Sequence, residues 1–345
     1  MKSINLPERF ENVEALDEFL TAPSGALIAD MQAIDGDILI LGVSGKMGPT
    51  LARLARRAAP NKRILGVARF GDKQIKSRLK DWDIETKTVD LLDAKQVEAL
   101  PKMKNIIFMA GMKFGSTDNQ PQTWAMNVHA AAIAAETFAK SRIIAFSTGN
   151  IYPLSDLKTS SKGANENTPA GPIGEYAQSC LGRERMFQYF SQSNDTPGKI
   201  YRLNYAIDLR YGVLFDLAQR ILSGKTIDIS MGHVNLIWQG DANEQALRLL
   251  NHCTEPTTPI NITGAKTLSV RWLAEELGQR MNIEPSIVGN EQPTALLSDS
   301  SKSVEMFGQP AVPLSSMLDW TADWVSRGQE SFNKPTKYEV RDGKF

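Results

Sequence analysis

A continuous apolar run, Ile38-Leu39-Ile40-Leu41, feeds directly into Gly42-Val43-Ser44-Gly45-Lys46-Met47-Gly48 and then Pro49. Four apolar residues in a row read as a strand buried on both faces. Pro49 suits the first turn of a helix, where its missing N–H costs nothing. Met47, Leu51, Leu54 and Ala58 then mark one side of that helix. The glycines permit a tight turn and close approach of a charged group to the backbone. The helix N-terminus turns its unpaired N–H groups toward an anion. Strand, glycine triad and helix in this order demand a parallel sheet with helices over its faces. They assign Gly42, Ser44, Gly45, Lys46, Met47 and Gly48 to a pyrophosphate.

The rest of the chain keeps that rhythm. Strands are predicted at 63–68, 85–89, 105–109, 142–146 and 199–203, with long helices at 123–139 and 175–192 between them. Repeated β-α-β alternation gives an α/β fold, a Rossmann-type doubly wound parallel sheet. After Asn204 the rhythm breaks into helices and short strands. Residues 36–205 therefore read as the nucleotide-binding domain. Residues 206–345 read as mainly a smaller C-terminal substrate lobe, with some elements returning to the sheet. Residues 1–35 read as an N-terminal helical extension on the outside of the domain, with Phe10, Val13, Leu16, Phe19 and Leu20 as its apolar stripe. The tail after Arg327 reads as polar and irregular.

Charge and cysteine content narrow the partners. Lys+Arg and Asp+Glu are both 39, so no global field favours nucleic acid or an anionic membrane. Two cysteines among 345 residues exclude a disulfide framework and fit a reducing, cytoplasmic setting. No apolar run reaches the roughly 20 residues that span a bilayer. The acidic N-terminus is unlike a targeting peptide. His129, His233 and His252 are scattered without ligand spacing, so no metal is expected.

Further stations follow in order: Val89-Asp90-Leu91, Phe108-Met109-Ala110-Gly111, Met126-Asn127-Val128, Phe146-Ser147-Thr148-Gly149-Asn150-Ile151-Tyr152 and Tyr176-Ala177-Gln178-Ser179-Cys180. Together with the G-x-x-G-x-x-G loop they resemble the extended short-chain dehydrogenases, the NAD-dependent epimerase/dehydratase family. The resemblance runs from about Asp37 to Trp324. It implies that Asp90 reaches the adenine beside Leu91. It implies that Met109, Ala110 and Gly111 lie along the cofactor and that Asn127 props the active site. Thr148 falls on the catalytic Ser/Thr and Tyr176 on the acid/base tyrosine. Asn150 and Asn204 fall on the substrate side.

One position departs from the pattern. The family's Tyr-x-x-x-Lys lysine binds the nicotinamide ribose and lowers the tyrosine pKa, and here Cys180 stands in its place. A lysine ~5 Å away at an effective dielectric of ~20 is worth roughly 3 kcal/mol, about 2 pKa units. A thiol supplies none of this. Lys113, just past the fourth strand, is the local candidate for a compensating cation or for a substrate carboxylate. Its bland reading is a solvated loop lysine.

The second strand ends at Ala68-Arg69-Phe70 rather than in an acid. A base there favours the 2′-phosphate of NADP over NAD, with Lys46 or Arg53 assisting. In the lobe, Val234 stands where relatives acting on nucleotide-diphosphate sugars carry an arginine. A free carbohydrate or sugar acid fits better. The expected activity is an NAD(P)-dependent oxidoreductase or epimerase. The alternative is a non-catalytic NAD(P)-binding sensor that has lost the lysine. The resemblance also implies a homodimer through helices 123–139 and 175–192, with Ala130, Ala131, Ala134 and Ala135 at the contact.

Overall fold

The computed structural model describes residues 6–345, so residues 1–5 of the expected extension lie outside the described residues. Its centre is a seven-stranded sheet, parallel throughout. The strands are β1 (Ile38–Leu41), β2 (Ile64–Ala68), β3 (Glu85–Thr88), β4 (Asn105–Phe108), β5 (Arg142–Thr148), β6 (Gly198–Leu203) and β7 (Thr258–Ile262). Their spatial order is β7-β6-β5-β4-β1-β2-β3. The order in which strands are added therefore switches sides between β1 and β4, where Leu41 pairs with Phe108 in parallel. The crevice above such a switch point is where open α/β sheets bind ligands. The apolar strands β1, β2 and β4 are buried along their length. The polar Glu-Thr-Lys-Thr of β3 forms an exposed edge, as expected of a strand that must not pair further. β7 is an element from beyond Asn204 that returns to the sheet, beside β6.

Helices cover both faces. On one lie α1 (Val13–Leu20), α2 (Gly25–Ala33), α3 (Gly48–Ala58) and, after β2, α4 (Lys73–Asp81). On the other lie α5 (Ala130–Thr137) and α6 (Gly174–Asn194). The predicted helix over 123–139 is a composite. A short helix Gln120–Trp124 runs into a π turn, Ala125–His129, before α5. A wider turn of this kind often marks a functional position, and Asn127 is buried within it. The lobe is built from α7 (Val213–Leu222), α9 (Val270–Met281) and α10 (Leu314–Ser326), whereas α8 (Gln239–Arg248) packs on α2 and α3 over the sheet. Among the described residues no helix is long and apolar enough to cross a membrane.

Three expectations change. The N-terminal extension is not an outer layer. Leu16 and Leu20 of α1 are buried in the lobe core with Leu214, Trp238 and Trp320, whereas Leu27 and Met31 of α2 join the core on β1. Asp17 of α1 is buried and pairs with Arg210 of the lobe at 3.1 Å and with Arg78 of α4. An amphipathic stripe reveals that a helix is covered but not by what. The tail after Arg327 has no helix or strand, yet it is docked. Thr336, Tyr338 and Phe345 are buried, and the Thr336 N–H donates to Asp216 at 2.7 Å. Finally, Ala130, Ala131, Ala134 and Ala135 are buried inside the subunit against the sheet. They present no face to a second copy, because small residues serve close helix–sheet packing equally well.

Because α1 is part of the lobe core, Leu16→Ala is expected to destabilise the fold by about 2–5 kcal/mol, read by urea unfolding. A loss below about 0.5 kcal/mol, typical of a surface change, would mean that the extension is peripheral after all.

Candidate active site

The glycine loop leaves β1 at Gly42, whose φ is +92°. A Cβ there would lie 2.5 Å from the backbone nitrogen of Ala110, and one on Gly48 would lie 2.1 Å from the Val43 carbonyl oxygen. Both glycines are thus demanded by the protein's own packing. Gly45 is different. A Cβ at Gly45 would meet its nearest neighbour only at 3.6 Å, and the residue faces a cavity. That cradle, open beside the N-terminus of α3, has room for a pyrophosphate.

The cavity is about 780 Å³ and sits over the switch point between the sheet and the lobe. Of the cofactor residues expected from sequence, Gly42, Ser44, Gly45, Lys46, Met47, Met109 and Gly111 line it. Gly48 and Ala110 lie beneath the loop, buried. Asp90 is half-buried and accepts from the Leu92 N–H at 3.0 Å; Leu91 is in the core. Neither lines the cavity. Arg69 is exposed at the end of β2 and also lies outside the lining, whereas Asp72 and Arg78 of the next turn are within it. The two basic helpers expected for Arg69 are drawn elsewhere. Lys46 crosses to the lobe, its Nζ 3.5 Å from the Tyr211 ring centre. Arg53 pairs with Glu18 at 2.7 Å and covers Trp82.

Thr148 closes β5, and Tyr176 opens α6 across from it. The Thr148 hydroxyl oxygen accepts from the Asn150 N–H at 3.2 Å and from its side-chain amide at 3.0 Å. With its oxygen so engaged, the hydroxyl hydrogen is left to donate. Thr148, Asn150, Tyr176 and Asn204 all line the same cavity. The Asn204 amide donates to the Leu296 carbonyl at 3.4 Å. The Tyr176 ring meets the edge of Phe345 at 5.5 Å. Burial pushes the Tyr176 hydroxyl well above the usual phenol range, Cys180 adds to the rise, and Arg183 and the Thr148 hydroxyl oppose it. Cys180 is fully buried among Ile151, Tyr152 and Ala164. Burial likewise raises its pKa, so it is a neutral thiol that packs.

Arg183, which sequence reading missed, is the cation that acts on this pair. It lies on α6 two turns beyond Tyr176 and is 6% exposed. Its Nη1 donates to the Phe146 carbonyl at 2.9 Å and its Nη2 to Asn127 Oδ1 at 2.6 Å. Its Nε donates to the Asn127 carbonyl at 3.2 Å. A Cβ on Gly111 would fall 2.3 Å from Nη2, so the guanidinium fills space that only a glycine leaves at the end of β4. Asn127 also bonds both polar groups of the Met112 backbone, at 2.8 and 3.0 Å, and the Ser179 hydroxyl at 2.8 Å. One side chain thereby ties the β4 loop, the π turn and α6 together. The signal available in sequence was spacing: positions 176, 179, 180 and 183 share one helical face.

Lys113 is brought to the site but is turned to the tail. Its Nζ donates to the Thr336 carbonyl at 3.0 Å, lies 4.4 Å from the Phe345 ring centre and 5.7 Å from that of Tyr176. Burial lowers its pKa to about 8. Val234, by contrast, is fully buried in the lobe core. Among the described residues no group of His, Cys, Asp and Glu is gathered that could hold a metal ion.

The molecule's likenesses agree with this geometry. Among curated proteins no sequence match was found. The fold is shared with UDP-glucose 4-epimerase from the hyperthermophile Thermotoga maritima (17% identity, 85% of this chain and 99% of that one, TM-score 0.71). It is shared with the UDP-Glc/GlcNAc 4-epimerase of Campylobacter jejuni (21%, 85% and 100%, 0.70). It is also shared with UDP-glucuronic acid 4-epimerase from Bacillus cereus, solved in complex with NAD (17%, 84% and 99%, 0.70). The model of the NAD dependent epimerase/dehydratase family matches residues 38–252, and the chain belongs to that family.

Proposed function

We propose that the protein is a nicotinamide-dependent oxidoreductase or epimerase of a small carbohydrate or sugar acid. The observation that carries this is convergence: the glycine cradle, Thr148, Tyr176 and Asn204 line one cavity over the switch point. When bound, the nicotinamide cofactor accepts or returns a hydride. The loop backbone from Gly42 to Gly48 holds its phosphates, Met109 and Gly111 flank it, and Arg69 selects a 2′-phosphate, so NADP is favoured. Asp90, Leu91, Ala110 and Asn127 support this surface from behind.

The protein's own residues handle the proton. The Thr148 hydroxyl donates to the reacting oxygen of the substrate. Tyr176, a phenol at neutral pH, gives its proton to a carbonyl oxygen on reduction and must lose it before it can take a hydroxyl proton on oxidation. Asn150 holds Thr148 in place, and Asn204 meets the substrate's other hydroxyls. The buried Val234 supports a substrate without a nucleotide diphosphate, since no cation there would meet one. The UDP-sugars of the structural neighbours make a nucleotide sugar the rival substrate. A homodimer through the helices spanning 123–139 and 175–192, on which Trp124 and Tyr189 are exposed, belongs to the same proposal. The rival reading, a dinucleotide-binding sensor, draws on the missing lysine and on the Phe345 ring seated against Tyr176.

Cofactor titration tests the cradle. Gly45→Val should fold normally and lose NADP and NAD binding at least tenfold, because its side chain meets ligand rather than protein. Arg69→Glu should weaken NADP alone. Wild-type affinity in folded Gly45→Val, or equal losses for both dinucleotides in Arg69→Glu, would remove these assignments.

Hydride transfer against a panel of free sugars and sugar acids tests the chemistry. Oxidation should accelerate with pH and show no plateau below about pH 10, since the raised Tyr176 pKa delays formation of the phenolate. Cys180→Lys should move the profile to lower pH. Tyr176→Phe should cost about 10²–10⁴-fold in kcat. Undiminished turnover in Tyr176→Phe would sink the catalytic assignment, and a cofactor affinity indifferent to Tyr176 with no turnover in any assay would favour the sensor.

A further inference from the structure

Three ammonium groups line the cavity that Thr148 and Tyr176 also line. Lys46 comes from the glycine loop, Lys113 from the loop after β4 and Lys334 from the docked tail, and all three line the cavity. Phe114 lies between the first two, with its ring centre 4.4 Å from Lys46 Nζ and 5.8 Å from Lys113 Nζ. Tyr211 flanks Lys46, and Tyr176 and Phe345 flank Lys113. Among the described residues the ion pairs that lysines make belong to Lys104, Lys302 and Lys344, not to these three.

Glu330 lines the cavity on the side of Arg78 and Arg210, and the two carboxylates that act on Lys46 and Lys113 are engaged elsewhere. Asp216 accepts from the Thr336 N–H and hydroxyl, and burial raises its pKa to about 6. Glu339 pairs with Arg220 at 3.1 Å. The cluster therefore holds an excess of positive charge in a partly desolvated place. Burial and the mutual repulsion with Lys113 and Lys334 lower Lys46 to about 7. Lys337 further depresses Lys113, against the opposing pull of Cys180, Asp216 and Glu339. Burying like charges together is unfavourable unless an anion joins them. Aromatic faces around an ammonium stabilise it only in part.

Resting on the reading of this cleft as a dinucleotide-dependent substrate site, we propose that the substrate is itself an anion. It is a small polyhydroxy compound whose carboxylate or phosphate sits between Lys46, Lys113 and Lys334 while its reacting carbon faces Thr148 and Tyr176. The anchor explains how a site whose lobe lacks a diphosphate-binding arginine still fixes one end of its ligand. It also gives Lys113 a task distinct from that of Arg183.

The test uses the full chain saturated with its dinucleotide and the bare anionic groups as probes. Acetate and inorganic phosphate are titrated separately while the lysine ammonium groups are followed by 15N NMR. The account expects one of the two anions to raise the apparent pKa of both Lys46 and Lys113 by about one unit or more, and the choice of anion identifies the substrate's group. Lys113→Met, which keeps the stem and removes the charge, should weaken that anion at least tenfold and leave dinucleotide affinity within threefold of wild type. No shift with either anion would overturn the proposal. So would a response seen without dinucleotide and abolished by it, because the lysines would then serve the cofactor's pyrophosphate. Failure of the underlying reading shows separately, as absent dinucleotide binding in the wild type.

Discussion

Arg183 is a cation taken almost wholly out of water, and the geometry of the cleft depends on how that charge is compensated. Among the described residues no carboxylate forms an ion pair with it. Three oxygens accept its N–H groups instead: the Phe146 carbonyl at the end of β5, and the backbone and side-chain oxygens of Asn127 in the π turn. Hydrogen bonds to a charged donor are roughly twice as strong as neutral ones, and an uncompensated buried charge would cost several kcal/mol. The three segments must therefore stay in register. Asn127 extends the constraint to the β4 loop through Met112 and to Ser179 on α6. A single connected set of polar groups sets where Thr148, Tyr176 and the loop carrying Lys113 can lie.

The same charge bears on the chemistry. With Cys180 in the lysine's place, the tyrosine hydroxyl sits beside a neutral thiol in a desolvated wall, and both effects hold the proton on. Arg183 opposes them from beneath. It lies behind the wall rather than in the cavity, so it acts on Tyr176 through the field and cannot reach a ribose as a lysine would. Lys113 approaches Tyr176 from the other side, with one of its three N–H groups donating to the Thr336 carbonyl. The family's single lysine combined two tasks; here a buried arginine opposes the rise at Tyr176 without reversing it, and lysines from other segments line the cavity.

Much of this was legible in the sequence, for identifiable reasons. The apolar runs of β1, β2 and β4 are buried on both faces, so they announce themselves without partners. Gly48 is fixed by a contact within its own loop and Gly42 by its positive φ, and Pro49 marks the helix start locally. Tyr176, Thr148 and Asn204 follow from order and spacing. What escaped depends on contacts distant in sequence. The docking of Thr336 and Phe345 against Lys113 and Tyr176 joins segments far apart in the chain, 223 residues for Lys113 and Thr336, and nothing in a polar tail foretells it. α1 looked like a cover because its stripe says only that it is buried. Lys46 and Arg53 were expected near Arg69, but a flexible side chain goes where its aromatic or acidic partner lies, here Tyr211 and Glu18. Arg183 was hidden by its type, since an arginine on a helix is usually solvated.

The central claim is that Arg183, where the family's lysine is missing, opposes the rise at Tyr176. The direct measurement is a 19F NMR titration of a fluorinated tyrosine placed at position 176, which brings the phenol into a workable range, in the otherwise wild-type chain and in folded Arg183→Met. The account predicts that losing the guanidinium raises the apparent pKa at position 176 by about one unit or more. An unchanged or lower pKa would show that Arg183 only braces the fold and that Tyr176 is tuned by something else.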